Sequence, residues 1–136
     1  MVIVVAIGVL ALVVLPKRIL PKARVFVDGV YAKAEENKNL TKEQLAVYGE
    51  LATFVSAPES SVFAVNIGGA TLYDHLKDGT LSEEEIKEAE AVRDILAKDP
   101  AGGVISMLTY VQAHPEMQKR INTFTRDLTL AMAETK

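Results

Sequence analysis

The chain has no cysteine and no tryptophan, and aromatic residues make up only 6% of its 136 positions. Without cysteine there can be no disulfide framework, thiolate nucleophile or cysteine metal ligand. Only two histidines occur, His75 and His114, and they lie too far apart in sequence to form the paired motif of a zinc site. We therefore expect no cofactor and no metal-dependent chemistry built on these residue types.

Acidic residues are absent from residues 1–27, where four cations occur: Lys17, Arg18, Lys22 and Arg24. Residues 28–136 carry 11 basic and 18 acidic side chains. An acidic body argues against nucleic acid as a partner, because phosphates require a patch of lysine and arginine. The four cations are instead predicted to lie at a membrane interface, where each contributes about 1 kcal/mol against anionic headgroups.

Charged and polar side chains are absent from residues 1–15, MVIVVAIGVLALVVL. We predict a transmembrane helix over residues 1–20 and a helical soluble domain over residues 21–136. The helix is short, since 15 residues rise about 22 Å whereas the hydrocarbon core is about 30 Å thick. A thinned bilayer or packing against larger membrane subunits would accommodate it.

Two other interpretations of this segment are weaker. A cleaved signal peptide needs a basic region before the apolar run and small residues at the cleavage site, and neither is present. A buried strand agrees with the valine and isoleucine content, but 14 uninterrupted residues are long for a strand and the rest of the chain offers no strand to pair with it. Because lysine and arginine favour the cytoplasmic side, a single-pass orientation with the N-terminus outside and residues 21–136 in the cytoplasm is expected.

Helical periodicity dominates the remaining sequence and predicts a bundle of about six helices separated by short turns. The last helix has the clearest apolar stripe, formed by Met117, Ile121, Phe124, Leu128 and Met132. The double glycine Gly68-Gly69 interrupts an apolar helix and favours close packing or a kink over a ligand loop. The predicted fold class is thus all-α, with one N-terminal transmembrane helix.

Residues 40–45 (LTKEQL) and 81–86 (LSEEEI) resemble each other and each follows a polar turn. Both contain the capping-box pattern, in which Thr41 or Ser82 begins a helix and Gln44 or Glu85 reaches back to it. Two similar helix-turn-helix units, packed together, are therefore expected.

Residues 74–85 (DHLKDGTLSEEE) resemble the calcium loop of the EF-hand family. Oxygen-bearing side chains stand at four ligand positions and glycine at the turn: Asp74, Asp78, Ser82, Glu85 and Gly79. Leu76 has no oxygen at a position where the family has a ligand, so the resemblance implies a degenerate loop. A turn followed by a capping box explains the same residues without an ion.

Catalytic patterns are lacking, since no serine has a nucleophile-elbow setting. His75 is expected to be exposed and His114 to lie at a helix end, so we predict that the chain is not an enzyme. The expected function is that of an accessory or scaffold subunit in a larger membrane complex, with the lipid bilayer and other membrane subunits as partners. The alternatives are a membrane-tethered EF-hand-like regulatory module and a small structural protein of a membrane-containing virion.

Overall fold

The computed structural model describes residues 3–7, 10–14, 19–57, 61–99, 102 and 104–134, with the strands described by their backbone. A π-helical segment, Ala64–Gly68, continues directly into the third helix. The elements in chain order are β1 Ile3–Ile7, β2 Leu10–Val14, α1 Leu20–Glu35, α2 Lys42–Ser56, α3 Gly69–Leu76, α4 Glu83–Lys98, α5 Val104–Ala113 and α6 Glu116–Glu134. The predicted bundle of six helices is confirmed within the described residues.

The N-terminal segment forms an antiparallel pair of strands in which Ile3 lies opposite Val14 and Ile7 opposite Leu10. The prediction of a transmembrane helix over residues 1–20 is therefore wrong for Ile3–Ile7 and Leu10–Val14. A strand here needs a partner, and the partner lies within the same apolar run, where valine and isoleucine favour strands. Strand β2 lies beside α6.

Among the described residues, no helix combines the length and the apolar character needed to cross a membrane.

Both predicted capping boxes are formed. At the start of α2, the Thr41 hydroxyl accepts from the Gln44 amide at 3.1 Å, and the Gln44 side chain accepts from the Thr41 amide at 2.9 Å. Ser82 and Glu85 make the same pair at the start of α4, at 3.1 and 3.0 Å. Each box pairs two backbone donors that a helix N-terminus would otherwise leave without an intrahelical partner.

The two helix-turn-helix units pack together as expected, with α1 against α3 and α2 against α4. Their turns also meet, because the Asn37 side-chain amide donates to the Gly79 carbonyl oxygen at 3.1 Å. Gly79 has a φ of 78°, a conformation that glycine adopts at little cost. The internal sequence similarity therefore corresponds to two units whose equivalent helices lie side by side.

The core lies between α1, α2, α3, α4 and α6, and its largest fully buried side chains include Tyr48, Leu51, Leu72, Leu96 and Phe124. The predicted stripe of α6 is confirmed at Met117, Ile121, Phe124 and Leu128, which are all buried. Met132 is partly buried against the same core.

Gly68 and Gly69 mark a close approach between helices. A Cβ atom on Gly68 would lie 3.0 Å from both Leu96 and Val55. One on Gly69 would lie 2.9 Å from the Phe124 ring and 3.2 Å from Val27. The double glycine thus allows close packing at the junction of the π-helical segment and α3.

Replacing Gly69 with alanine should destabilise the fold by about 1–3 kcal/mol, because the buried Phe124 ring has to move. Gly29 provides the matched control, since it lies in α1 and a methyl group added there would meet nothing within 4 Å beyond its own stretch of helix. Gly29→Ala should stabilise by about 0.5–1 kcal/mol through helix propensity alone. Urea unfolding of both variants measures the difference, and equal shifts of the same sign would contradict the packing role of Gly69.

Candidate functional site

A chain of polar side chains crosses the bundle and centres on a buried histidine. The Tyr48 hydroxyl lies 2.8 Å from Nδ1 of His75, and Nε2 of His75 lies 2.7 Å from the Glu88 carboxylate. Glu88 also pairs with Arg120, whose Nε lies 3.1 Å from Asp74. These residues, Tyr48, His75, Glu88, Arg120 and Asp74, are called the polar chain below, and they join α2, α3, α4 and α6.

The hydrogen-bond directions in the polar chain follow from its charges. Salt-bridged Glu88 can only accept, so the His75 ring nitrogen that faces it must carry a proton and donate. In the neutral ring the other nitrogen, Nδ1, is then an acceptor for the Tyr48 hydroxyl. The His75 Nε2–H therefore points at Glu88, and Glu88 sits between two donors.

The pKa values of the polar chain agree with these roles. The hydrogen bond from His75 lowers the pKa of Glu88, and the hydrogen bond and charge of Arg120 lower it further, against the opposing effect of burial. Burial raises the pKa of Tyr48, and the charges of Glu85 and Glu88 raise it further. Glu88 is therefore a carboxylate and Tyr48 a phenol at neutral pH.

A base oriented by a carboxylate is a frequent catalytic arrangement, but it must reach the proton that it abstracts. Tyr48 and His75 both have an exposed fraction of 0%, so no solute can contact the His75 ring in this conformation. The contacts of the polar chain instead connect four helices, which makes it a structural brace in which one arginine lies between two carboxylates.

A second polar contact lies beside this brace. The Tyr73 hydroxyl donates to Asp127, and its ring packs 5.4 Å from Phe26 and 6.0 Å from Phe124 between centroids. Burial, followed by the Asp127 contact, raises the pKa of Tyr73 to about 12. The same hydrogen bond is the main cause that lowers the pKa of Asp127. The contact joins α3 to α6 beside the packed aromatic rings of the core.

The residues of the predicted calcium loop have other partners. Asp74 faces Arg120 and lies 3.5 Å from Lys77, while Ser82 and Glu85 bond to each other's backbone in the capping box. Asp78 is exposed. Within the described residues no group of three or more histidine, aspartate or glutamate side chains is arranged to hold a metal ion.

The structure places the remaining predicted site residues as follows. Lys22 is exposed at the start of α1, and Arg24 is half-buried and makes contacts of its own. Lys17 and Arg18 lie outside the described residues. His114 is exposed after α5 and stacks on Tyr110 at 4.3 Å. The expectation that His75 is exposed is wrong, because its ring is enclosed between α2 and α4.

Sequence reasoning missed the polar chain because its members are distant in sequence. Tyr48 and His75 are separated by 27 positions, and Glu88 and Arg120 by 32. The helical period places Tyr48 on the apolar stripe of α2, but nothing in the sequence indicates which polar group its hydroxyl would meet. The pairing depends on how the helices pack.

An apolar groove lies between the start of α1 and the end of α6. Its volume is about 410 Å³. Pro21, Val25 and Phe26 form one wall, and Leu128, Ala131 and Met132 form the other, with Lys22 also lining it. This feature, called the α1–α6 groove below, has the size and composition of a site for an apolar ligand.

The pH dependence of stability provides a test of the brace. The pKa of Glu88 is lower in the folded state than its unfolded value of about 4.3, so its contribution is complete above that value and is lost as the pH falls through the folded pKa. At pH 7 Glu88→Gln should therefore be less stable than the native chain by about 1–3 kcal/mol.

This difference should shrink as the pH falls from the unfolded pKa of Glu88 to below its folded pKa, because the native carboxylate is then protonated as well. Urea unfolding at a series of pH values measures it. Glu50→Gln serves as the control, since the Glu50 carboxylate is 54% exposed in its pair with Arg93 and should contribute little. A difference between Glu88→Gln and the native chain that stays constant with pH would contradict the assignment of Glu88 as an ionised acceptor.

Comparison of the chain with protein-family models, with curated proteins and with solved structures finds no match.

Proposed function

We propose that this chain is a non-enzymatic membrane-associated protein whose N-terminal segment attaches a helical domain to a bilayer, where the domain serves as an accessory or scaffold subunit of a larger assembly. The proposal rests on an abrupt change in composition after residue 15, from apolar to basic residues. Fifteen residues without any polar side chain are followed by four cations within residues 17–24 and by no acidic residue before Asp28. Apolar residues suit the hydrocarbon core, and the cations suit its anionic surface.

The strand pairing supports a role among other subunits. Two paired strands leave two edges with backbone donors and acceptors that need partners, and in lipid each unsatisfied group costs several kcal/mol. Five residues at about 3.4 Å each extend only about 17 Å, which is less than the hydrocarbon thickness of about 30 Å. A neighbouring membrane subunit that covers these edges would satisfy the backbone groups.

The helical domain supports a non-enzymatic role. Its polar chain is enclosed and connects helices, and its acidic surface suits contact with proteins more than with nucleic acid. Interaction through this domain is therefore the proposed activity.

Flotation with phospholipid vesicles tests the membrane attachment. The native chain should float with the vesicles, whereas Val4→Lys combined with Leu12→Lys should remain in the soluble fraction, because each lysine costs about 2.5–3.5 kcal/mol in the hydrocarbon core. The matched control is Thr53→Lys with Thr109→Lys, which adds the same charge on the outer surface of α2 and α5. Absence of the native chain from the floated fraction, or unchanged flotation of the first variant, would refute the proposal.

Extraction of the native membrane with mild detergent tests the accessory role. The chain should copurify with other membrane subunits in a defined ratio. Recovery as a stable monomer, with only detergent bound, would count against an accessory subunit while leaving the membrane attachment intact.

Protease protection tests the predicted single-pass orientation. A single span places a tag at the N-terminus on the opposite side of the bilayer from residues 21–136. In the observed antiparallel pair Ile3 instead lies opposite Val14, so the start of β1 and the end of β2 lie on the same side. Digestion of the tag and of the domain from the same side would therefore exclude the single-pass orientation and agree with the strand pair.

A further inference from the structure

The α1–α6 groove is formed by two helices, one of which follows the segment that the proposed function places at the membrane and the other of which contacts it. One wall is the start of α1, which follows Lys17 and Arg18 in the sequence, and the other is the end of α6, the helix that β2 lies beside. The groove is therefore connected, through α1 and α6, to the apolar N-terminal segment and to the cations.

The groove has the dimensions and lining of a ligand site. A volume of about 410 Å³ falls within the range of about 300–1,000 Å³ that is usual for small-molecule sites. Six of the seven lining residues are apolar, and Val25 at its rim is 72% exposed. An exposed branched apolar side chain beside an open apolar groove favours an apolar occupant over water.

One charged side chain, Lys22, lines the groove and suits a negative group at the other end of that occupant. Lys22 lines the groove and is exposed, so its methylene stem can cover apolar surface while its ammonium group stays in water. The first turn of α1 has no acidic residue. An occupant with an apolar chain and a negative headgroup would satisfy both the walls and Lys22.

We propose that the α1–α6 groove accepts an acyl chain of an anionic phospholipid of the bilayer, with the Lys22 ammonium group facing the phosphate. This inference rests on the proposed membrane attachment. It assigns the end of the bundle formed by the start of α1 and the end of α6 to the lipid surface, and it leaves the exposed acidic residues of α4 available to other subunits.

Fluorescence quenching tests the occupant, because the native chain has no tryptophan and one substitution gives a single reporter. The reporter is Met132→Trp in the full chain, bound to vesicles of phosphatidylcholine and phosphatidylglycerol whose acyl chains carry bromine. The matched control is Leu130→Trp, which lies in the same turns of α6 but outside the groove lining and replaces a residue that is 57% exposed.

Met132→Trp should lose most of its emission, and Leu130→Trp should lose little. Equal quenching of the two reporters would overturn the inference, since it would mean that the end of α6 is simply immersed in the bilayer. If Met132→Trp fails to fold, as judged by circular dichroism, Val25→Trp on the opposite wall replaces it with the same expected result.

Two further outcomes separate this inference from the proposed function. Flotation with no quenching of the groove reporter would overturn the acyl-chain site and leave membrane attachment standing. Chemical cross-linking of the same sample into dimers would then identify a second copy of the chain as the occupant. Absence of flotation would overturn both.

The headgroup contact has its own test in the unlabelled chain. Lys22→Gln should weaken binding to vesicles that contain phosphatidylglycerol by about fivefold, which corresponds to about 1 kcal/mol for one cation near an anionic surface. Lys42→Gln, at the exposed start of α2, should have a smaller effect. Equal loss in the two variants would contradict the placement of Lys22 at the phosphate.

Discussion

Arg120→Ala should lower the free energy of unfolding by about 2–4 kcal/mol. Arg120 pairs with both Glu88 and Asp74, and its removal leaves two carboxylates close together without a cation between them. Breaking a fully buried pair costs about 3–5 kcal/mol. The side chains of Arg120 and Glu88 are 23% and 25% exposed, so solvent screens part of that cost.

Arg93→Ala is the matched control for this variant. Arg93 is nearly as enclosed, at 27% exposed, but its partners Glu50 and Asp94 are 54% and 66% exposed. Its loss should cost much less than the loss of Arg120, because water solvates the carboxylates that remain. Urea unfolding at pH 7 compares the two, and equal destabilisation would show that Arg120 contributes only as a surface charge.

Phe124→Ala should destabilise the fold by about 3–5 kcal/mol. The ring is fully buried, packs 6.0 Å from both Phe26 and Tyr73 between centroids, and covers Gly69. Truncation removes this burial and leaves a cavity at the point where α1, α3 and α6 meet. Since small domains are stable by only about 5–15 kcal/mol, much of the folding free energy depends on this one ring.

Leu130→Ala provides the comparison on the same helix, since Leu130 is exposed and should change stability by about 0.5 kcal/mol or less. Phe124→Leu, which keeps most of the apolar volume, should fall between the two. Thermal and urea unfolding measure all three variants. A cost for Phe124→Ala no greater than that for Leu130→Ala would contradict the placement of this ring at the centre of the core.

The sequence is sufficient to predict features that depend on residues three or four positions apart. Thr41 with Gln44 and Ser82 with Glu85 form the capping boxes that their spacing indicates. The stripe from Met117 to Leu128 is buried as its period predicts. Such contacts are made within one helix, so their geometry follows from 3.6 residues per turn and needs no other element.

The structure of the N-terminal segment does not follow from its sequence pattern in this way. An apolar run without periodicity does not distinguish a helix from strands, because both bury such residues. Pairing Ile3 with Val14 requires the run to fold back on itself, and the hydropathy of the run is the same in either form.

Which residues form the polar chain and the groove depends on the tertiary structure alone. His75 is hydrophilic and lies before a turn, which favours exposure, yet Tyr48 and Glu88 from two other helices enclose it. The α1–α6 groove likewise joins residues more than 100 positions apart in sequence. The sequence by itself determined the helices, their caps and the separation of apolar, basic and acidic stretches. The packing of α1, α2, α4 and α6 around α3 decided which side chains meet, because contacts between distant residues depend on the shape that the whole bundle adopts.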